Sequence, residues 1–411
     1  MIKFIRNKYK EIICYVILIS VVLISFIVQI RNVFFKLKGF ADLTNILRAG
    51  SRILNHELIY NANDFANDMP YLYAPYFAYL MGILRIIGHE RIEVFVWIVF
   101  SYLLLWLALK MAGKIVTINT PSELPWFFYP ALLLFCLRFF LIILHLGQVD
   151  VLLCALLLVS LYLLYQKKDV SGGALLSALT LIKTPLGIFV IFLLLEKKWK
   201  ALISFIAVGF FLLLLPAVHL GWNENLFFLK AWHTTLTTKA TNMITYTYRN
   251  QSIFAFYIRL TQFFSPSWEF SKLHSVSYFL SALTSSILLA TSLLIYYFKS
   301  IPNHIRFCGK ISCLMTLMII CSPTAWKATF IHLMLPAGFL LHVWWKNNKK
   351  GYLIPAGLFF SFLLSTLITM GILRMEFRVL MLQWSTVFFA PLVILVLLWA
   401  IPFRKEIIEK N

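Results

Sequence analysis

An aspartate at position 42, in the run GFADLTNILRAG just past the first long apolar stretch, is the side chain best suited to general-base chemistry. A carboxylate at the mouth of a water-reachable cavity takes the proton from an attacking hydroxyl when that hydroxyl is held within hydrogen-bond reach. The same residue also suits a helix N-cap ahead of Leu43–Ala49, since aspartate is a preferred capping residue. A second polar group, His145, Gly147, Gln148 and Asp150, crowds into the turn HLGQVD between two apolar runs. Its amide and carboxylate suit sugar hydroxyls or pyrophosphate-like oxygens, and His145 suits a phosphate, although a plain structural turn accounts for the same residues. Lys183, in TLIKTPLG, is the most anomalous cation. A lysine inside a span costs about 2.5–3.5 kcal/mol on insertion scales, so it calls for a cavity or an anion such as phosphate, or else it snorkels to the surface.

Three further groups have weaker signals. Tyr71, Tyr73 and Pro75 in MPYLYAPYFAYL suit one wall of a sugar site, or an interfacial aromatic belt. Arg249, Asn250, Gln251 and Ser252 precede an apolar turn and Arg259, an arrangement that suits a substrate-facing helix start with Arg249 or Arg259 as a phosphate ligand. Asn250-Gln251-Ser252 also matches the N-glycosylation acceptor pattern. In CSPTAWKATFIH, Ser322, Pro323, Trp326, Lys327 and His332 lie at a helix break that serves either a site or an interfacial Trp–Lys anchor.

These residues need a scaffold that is not water-soluble. The chain has 411 residues, 61% hydrophobic and 13% charged, too much apolar surface for an aqueous core. Its apolar runs are continuous over about 20 residues, the length a helix needs to cross a bilayer, and they lack the period-2 alternation of a barrel strand. The fold class is therefore all-α, a polytopic integral membrane protein. The net charge of +21 sits at span ends, where the positive-inside rule explains it, so nucleic acid is not an expected partner. Six cysteines lie in or beside apolar runs without metal-ligand spacing, so neither a disulfide framework nor a metal site is expected.

Charge asymmetry orients the spans. From the basic N-terminus (Lys3, Arg6, Lys8, Lys10), alternate loops carry lysine and arginine clusters, and the remaining loops carry the candidate site residues. About twelve spans result, near 11–33, 92–112, 124–146, 149–165, two short segments around Lys183 and Pro185, 201–219, a span returning to Lys299, then 311–322, 330–345, 352–372 and 385–402. Residues 71–88 are expected to form a surface or shallow helix, because counting them as a span would put Lys167, Lys168 and Lys197 outside. Residues 1–345 then form the catalytic module, with outer loops 34–91 and 220–275, and residues 346–411 supply the last helices. Both termini are expected in the cytoplasm, with the site facing outward from a bacterial cytoplasmic membrane. The polar groups crowd towards one side, which favours an enzyme over the alternative, a transporter or flippase of a lipid-linked glycan.

In order, ADLTN, YLYAP, LGQVDVLLCALLL, GGALLSALTLIKTPLGIFVIFLLLEKKWKAL, NQSIFAFYIRL and SPTAW resemble glycosyltransferase family 87, a branch of the GT-C class of membrane transferases, over most of residues 35–340. The resemblance implies a GT-C fold with surface helices in the first outer loop and a catalytic aspartate there, at Asp42. It implies a polyprenyl-phosphate sugar as donor, a lipid or glycan as acceptor, inversion at the anomeric carbon, and contact with membrane lipids. Donor phosphate would be met by Lys183, Arg249, Lys327 and His332. Tyr71, Tyr73, His145, Gln148, Asp150, Asn250, Gln251 and Trp326 would line the substrate site. Some relatives in the wider class bind a divalent metal, but this sequence has no dense carboxylate cluster, so no metal or other cofactor is expected. Family members often carry histidines directly after the Ser-Pro-x-x-Trp tryptophan; here Lys327, Ala328 and Thr329 stand there, and Ala74 replaces a frequent second proline.

Overall fold

The computed structural model describes residues 2–36, 40–60, 71–85, 88–118, 124–239, 247–298, 301–347, 351–366 and 373–403. Parts of both expected outer loops and the basic C-terminus from residue 404 lie outside these. Every regular element among the described residues is helical. Seven stretches are long and apolar enough to cross a bilayer: Tyr15–Phe35, Glu90–Val116, Phe128–Leu146, Trp199–Leu220, Ser271–Tyr297, Lys327–Lys346 and Thr386–Phe403. The other expected crossings fall on shorter helices, Asp150–Tyr165, Asp169–Ile182, Thr184–Leu195 and Leu353–Ser365, and on Asn303–Ile320. At 1.5 Å per residue, a 16-residue helix is about 24 Å long, short of the roughly 30 Å of hydrocarbon. Pro185 enforces one break: the helix before it stops at Ile182, and a 3-10 turn, Thr184–Ile188, precedes the next.

The chain forms two compact units, each discontinuous in sequence: 1–108 with 140–242, and 109–139 with 243–411. In the first unit, α1 (Ile2–Arg31) exposes Ile12, Ile13, Val16, Ile17, Leu23, Ile24 and Ile27, an apolar surface that only lipid can solvate favourably. Next, α2 (Ala41–Leu54) is amphipathic: Leu43, Ile46, Leu47, Gly50 and Ile53 are buried, while Arg48 and Arg52 are half-buried. It packs on α3 (Pro75–Leu84), where a Cβ on Gly50 would lie 2.6 Å from the Gly82 nitrogen, so the close crossing depends on glycine. Ten residues make α3 about 15 Å long, too short to cross a bilayer alone. The unit continues through residues 90–108 of α4 (Glu90–Val116), residues 140–146 of α5 (Phe128–Leu146), α6 (Asp150–Tyr165) and α7 (Asp169–Ile182). It closes with α8 (Phe189–Leu195), α9 (Trp199–Leu214), α10 (Ala217–Leu220) and α11 (Trp222–Thr234).

The second unit takes the remaining parts of α4 and α5, then α12 (Ile253–Phe264), α13 (Phe270–Phe298) and α14 (Asn303–Ile320). A 3-10 turn, Lys327–Leu333, leads into α15 (Met334–Lys346), followed by α16 (Leu353–Ser365), α17 (Met375–Gln383) and α18 (Phe389–Ala400). Its core is built around α14, buried from Cys308 through Ile320, and α15.

Candidate active site

In the first unit, main-chain bonds bring three polar segments together. The Phe40 N–H donates to the His145 carbonyl at 2.7 Å, tying the start of α2 to the end of α5. Gly147 turns the chain at φ +70°, and a Cβ there would meet Leu43 Cβ at 2.5 Å, so α2 sits directly on this turn. The Ala74 N–H donates to the Leu181 carbonyl at 3.3 Å, bringing the Tyr73 segment to the end of α7, two residues before Lys183. That segment is held further by Tyr60, whose hydroxyl donates to the Tyr73 carbonyl at 2.7 Å, and by Trp232, whose indole donates to the Leu72 carbonyl at 3.0 Å.

Asp42 lies one residue inside α2, not at its cap; Phe40 occupies that position at φ 60°. The expected capping alternative therefore gives way to a buried carboxylate. Gln148 donates to Asp42, while the Asp42 Oδ2 atom is buried without a hydrogen-bond partner among the described residues. Burial foremost, and then the Asp150 charge, raise the Asp42 carboxyl above the usual carboxylate range, against the opposing pull of Gln148 and Lys183. Lys183 Nζ donates to Asp150 Oδ1 at 2.6 Å, and the Asp150 side chain is 4% exposed. The anomalous lysine thus has its anion within the protein. Burial and the nearby Asp42 and Asp150 carboxylates hold the Tyr73 phenol well above its ordinary value, so it stays a neutral hydrogen-bond donor. Tyr71 packs edge-on against Tyr73, ring centroids 5.4 Å apart. His145 is exposed, and the contact that ties it to α2 is its carbonyl.

The second unit gathers cations. Lys327 is within electrostatic reach of Arg138, Arg249 and Arg378, and Arg138 of Arg378. Asn250 and Gln251 hold the segments that carry them. Asn250 Oδ1 accepts from Ala325 N at 2.9 Å and its Nδ2 donates to the Pro323 carbonyl at 3.0 Å. Gln251 N donates to the Ala325 carbonyl at 2.9 Å, and Gln251 Nε2 to the Leu382 carbonyl at 2.9 Å. Arg249, Lys327 and Arg378 are thereby carried on three segments stitched to one another, and Phe139, next to Arg138, packs on Phe330 with centroids 5.8 Å apart. Asn250 and Gln251 are fully buried and bonded to main chain, which also removes Asn250 as a glycan acceptor. Arg259 donates to Ser385 Oγ at 2.9 Å and to the Asn250 carbonyl at 3.0 Å. His332 is fully buried with Nδ1 2.9 Å from the Thr329 carbonyl oxygen, and Trp326 is half-buried where the 3-10 turn begins.

The sequence-predicted residues thus fall into two groups. Asp42, Tyr71, Tyr73, Gln148, Asp150 and Lys183 cluster in the first unit, and Arg249, Asn250, Gln251, Trp326 and Lys327 in the second. Arg138 and Arg378 escaped the sequence reading. Arg138 had a usable signal, a lone arginine inside the apolar run FCLRFFLIIL, since an ionisable residue within a span marks function by default. Arg378 had one too: it lies between the spans expected at 352–372 and 385–402, in a loop that the charge pattern puts outside, where the positive-inside rule does not account for a cation.

Among the described residues the architecture is all-helical, with seven stretches able to cross a bilayer, and the polar candidates form an acidic group in the first unit and a cationic group in the second. The model of glycosyltransferase family 87 matches residues 71–323, more than half of the chain. The chain belongs to glycosyltransferase family 87 and is an integral membrane glycosyltransferase. Asp42, Trp326, Lys327 and His332 lie outside the matched residues. No curated protein and no solved structure matches the chain.

Proposed function

We propose that this chain, with a GT-C fold, transfers a hexosyl or pentosyl unit from a polyprenyl-phosphate sugar to a hydroxyl of a lipid or glycan acceptor. Transfer takes place at the extracytoplasmic face of a bacterial cytoplasmic membrane and inverts the anomeric carbon. The observation that carries the reading is Asp42: a buried carboxylate with one oxygen held by Gln148 and the other uncommitted. Such a group accepts the acceptor proton as the hydroxyl attacks, and its raised affinity for protons suits it to that task near neutral pH. The Lys183–Asp150 pair sets the charge around it, and Tyr71 and Tyr73 offer aromatic surface to a sugar ring. Within the second unit, Arg249 and Lys327, with Arg138 and Arg378, offer positive charge that suits a phosphate. A phosphate leaving group needs no separate acid, and the reaction needs no metal or other cofactor. The membrane holds the donor's polyprenyl tail while the sugar phosphate meets water.

The test is reconstitution of the purified protein with labelled polyprenyl-phosphate sugars and a membrane lipid extract, comparing wild type with Asp42→Asn and Asp42→Ala. Loss of a general base costs about 10²–10⁴ in rate. Turnover of both variants at the wild-type rate removes Asp42 as the base. Absence of transfer from every polyprenyl-phosphate sugar removes the donor class.

A further inference from the structure

One cavity of the first unit stands apart from the Asp42 group. Its volume is about 360 Å³, and Arg48, Ser51, Arg52, Glu57, Arg85 and Glu90 line it, from α2, the end of α3 and the start of α4. Ser51 follows Asp42 by nine residues, two and a half turns at 3.6 residues per turn, so the cavity lies on the side of α2 turned away from that carboxylate.

Both signs of charge converge there. Arg85 is fixed by two bonds: its Nη1 donates to Glu93 Oε2 at 2.8 Å, and its Nε donates to Ser51 Oγ at 3.1 Å. The Glu93 side chain is 3% exposed, so the guanidinium is held from within the protein, and its Nη2 has no partner among the described residues. Glu57 and Glu90 are exposed, and neither carboxylate has a side-chain partner among the described residues. From Glu90 the same stripe of α4 continues to Glu93 and Trp97, three and seven residues on. Glu93 Oε1 and Trp97 Nε1 are both buried without a hydrogen-bond partner among the described residues. Buried polar atoms are paired as a rule, so an open acceptor and an open donor along the stripe that begins at the cavity call for a polar ligand to complete them.

The lining selects the charge of that ligand. A lone anion would meet Glu57 and Glu90, a lone cation would meet Arg85, and a zwitterion pairs with both. The flanks select its source. Ile83 and Leu84, directly before Arg85, and Ile92 and Val96, shortly after Glu90, are 45% to 47% exposed, an apolar surface beside the charged cavity that acyl chains would cover.

We propose that this cavity binds the head group of a zwitterionic phospholipid with a primary ammonium, its phosphate diester on Arg85 and its ammonium on Glu57 and Glu90. The inference lies within the first unit and is independent of the donor, the acceptor and the role of Asp42. A lipid seated there braces α2 from the side away from Asp42, which ties the helix carrying the carboxylate to the composition of the membrane.

The purified full chain in detergent is mixed with equal amounts of phosphatidylethanolamine, phosphatidylcholine, phosphatidylglycerol and a monoglucosyl diacylglycerol with matched acyl chains, and the retained lipid is measured by native mass spectrometry. The wild type is expected to retain phosphatidylethanolamine at least about fivefold over each of the others, because choline has no N–H to donate, phosphatidylglycerol no cation and the glycolipid no charge. Glu57→Gln and Glu90→Gln, at exposed positions, should each bring that preference below about twofold. Arg85→Gln/Glu93→Gln removes the buried pair together and should lower retention of all three phospholipids. Glu269→Gln, an exposed carboxylate of the second unit, should leave the preference unaltered. Equal retention of the four lipids overturns the proposal, as does a preference for phosphatidylcholine, phosphatidylglycerol or the glycolipid. An unchanged preference in both Glu57→Gln and Glu90→Gln overturns it as well, and these two variants decide alone if Arg85→Gln/Glu93→Gln fails to fold. Water-soluble glycerophosphoethanolamine at equal concentration should not displace the lipid; displacement would remove the lipid assignment.

Discussion

Replacing Lys183 by methionine separates two roles that the residue combines. Its Nζ lies 2.6 Å from Asp150 Oδ1, with side-chain exposures of 22% and 4%. Breaking a buried ion pair by removing one partner costs about 3–5 kcal/mol, because the remaining charge keeps its desolvation penalty and loses its compensation. The partial exposure of Lys183 puts Lys183→Met at the low end, about 3 kcal/mol. Lys183→Met/Asp150→Asn removes both charges and is expected to return within about 1 kcal/mol of wild type, since neither desolvated charge is left. Denaturant unfolding in a mild detergent, followed by near-UV circular dichroism, measures both. Activity then distinguishes charge-setting from ligand contact. If the lysine serves chiefly to neutralise Asp150 beside Asp42, the double variant recovers transfer along with stability. If it binds the donor phosphate itself, stability returns and transfer does not. The pH profile adds a signed check, because Asp150 raises the Asp42 carboxyl and Lys183 lowers it. Lys183→Met should move the acid limb of the rate profile to higher pH, and Asp150→Asn to lower pH. A single variant that loses less than about 1 kcal/mol, with an unmoved acid limb, would refute the pairing and the electrostatic argument built on it.

Three other outcomes follow from the same geometry. Because the folded state raises the Asp42 carboxyl, protonated Asp42 stabilises the fold below the unfolded pKa of about 3.9, and this contribution is lost as pH rises through the folded value. Asp42→Asn should therefore raise the unfolding temperature at pH 8 and leave it unchanged at pH 3, while slowing transfer by about 10²–10⁴. Gly147→Ala forces an L side chain into positive φ and against Leu43 Cβ at 2.5 Å, which should cost about 1–3 kcal/mol and, by displacing Asp42 from Gln148, lower kcat more than it raises KM. Asn250→Ala deletes hydrogen bonds to Ala325, Ser252 and Pro323 in a fully buried position and should destabilise by about 2–4 kcal/mol in urea unfolding.

What could be read along the chain followed from local physics. Continuous apolar runs require helices in lipid, a lone lysine in an apolar segment requires an anion, and Pro185 requires a helix break; each is a property of a few adjacent residues. Asp42, Gln148, Asp150 and Lys183 stood out because they are too polar for their surroundings. Their partnerships did not. Asp150 and Lys183 are 33 residues apart, and their pairing exists because α6 and α7 pack as they do. Asp42 has both a cap and a base reading until the αL turn at Phe40 and the bond to His145 place it one residue inside its helix, bonded to Gln148.

The candidate residues separate in chain order, Asp42 to Lys183 in the first unit and Arg249 to His332 in the second, but Arg138 joins the second group from between members of the first, since each unit is assembled from chain segments that are not contiguous. Asn250 and Gln251, conspicuous enough in sequence to look like substrate ligands, turn out to donate to Pro323, Tyr248 and Leu382. Arg138 and Arg378, which the sequence reading passed over, are within electrostatic reach of Lys327 although 240 residues of chain separate them. Hydropathy and charge are one-dimensional and were sufficient to say that the chain is helical, membrane-borne and equipped with a carboxylate and cations. Which charges neutralise one another, and which remain for a ligand, depends on distances of a few ångströms between remote segments, and only packing determines those.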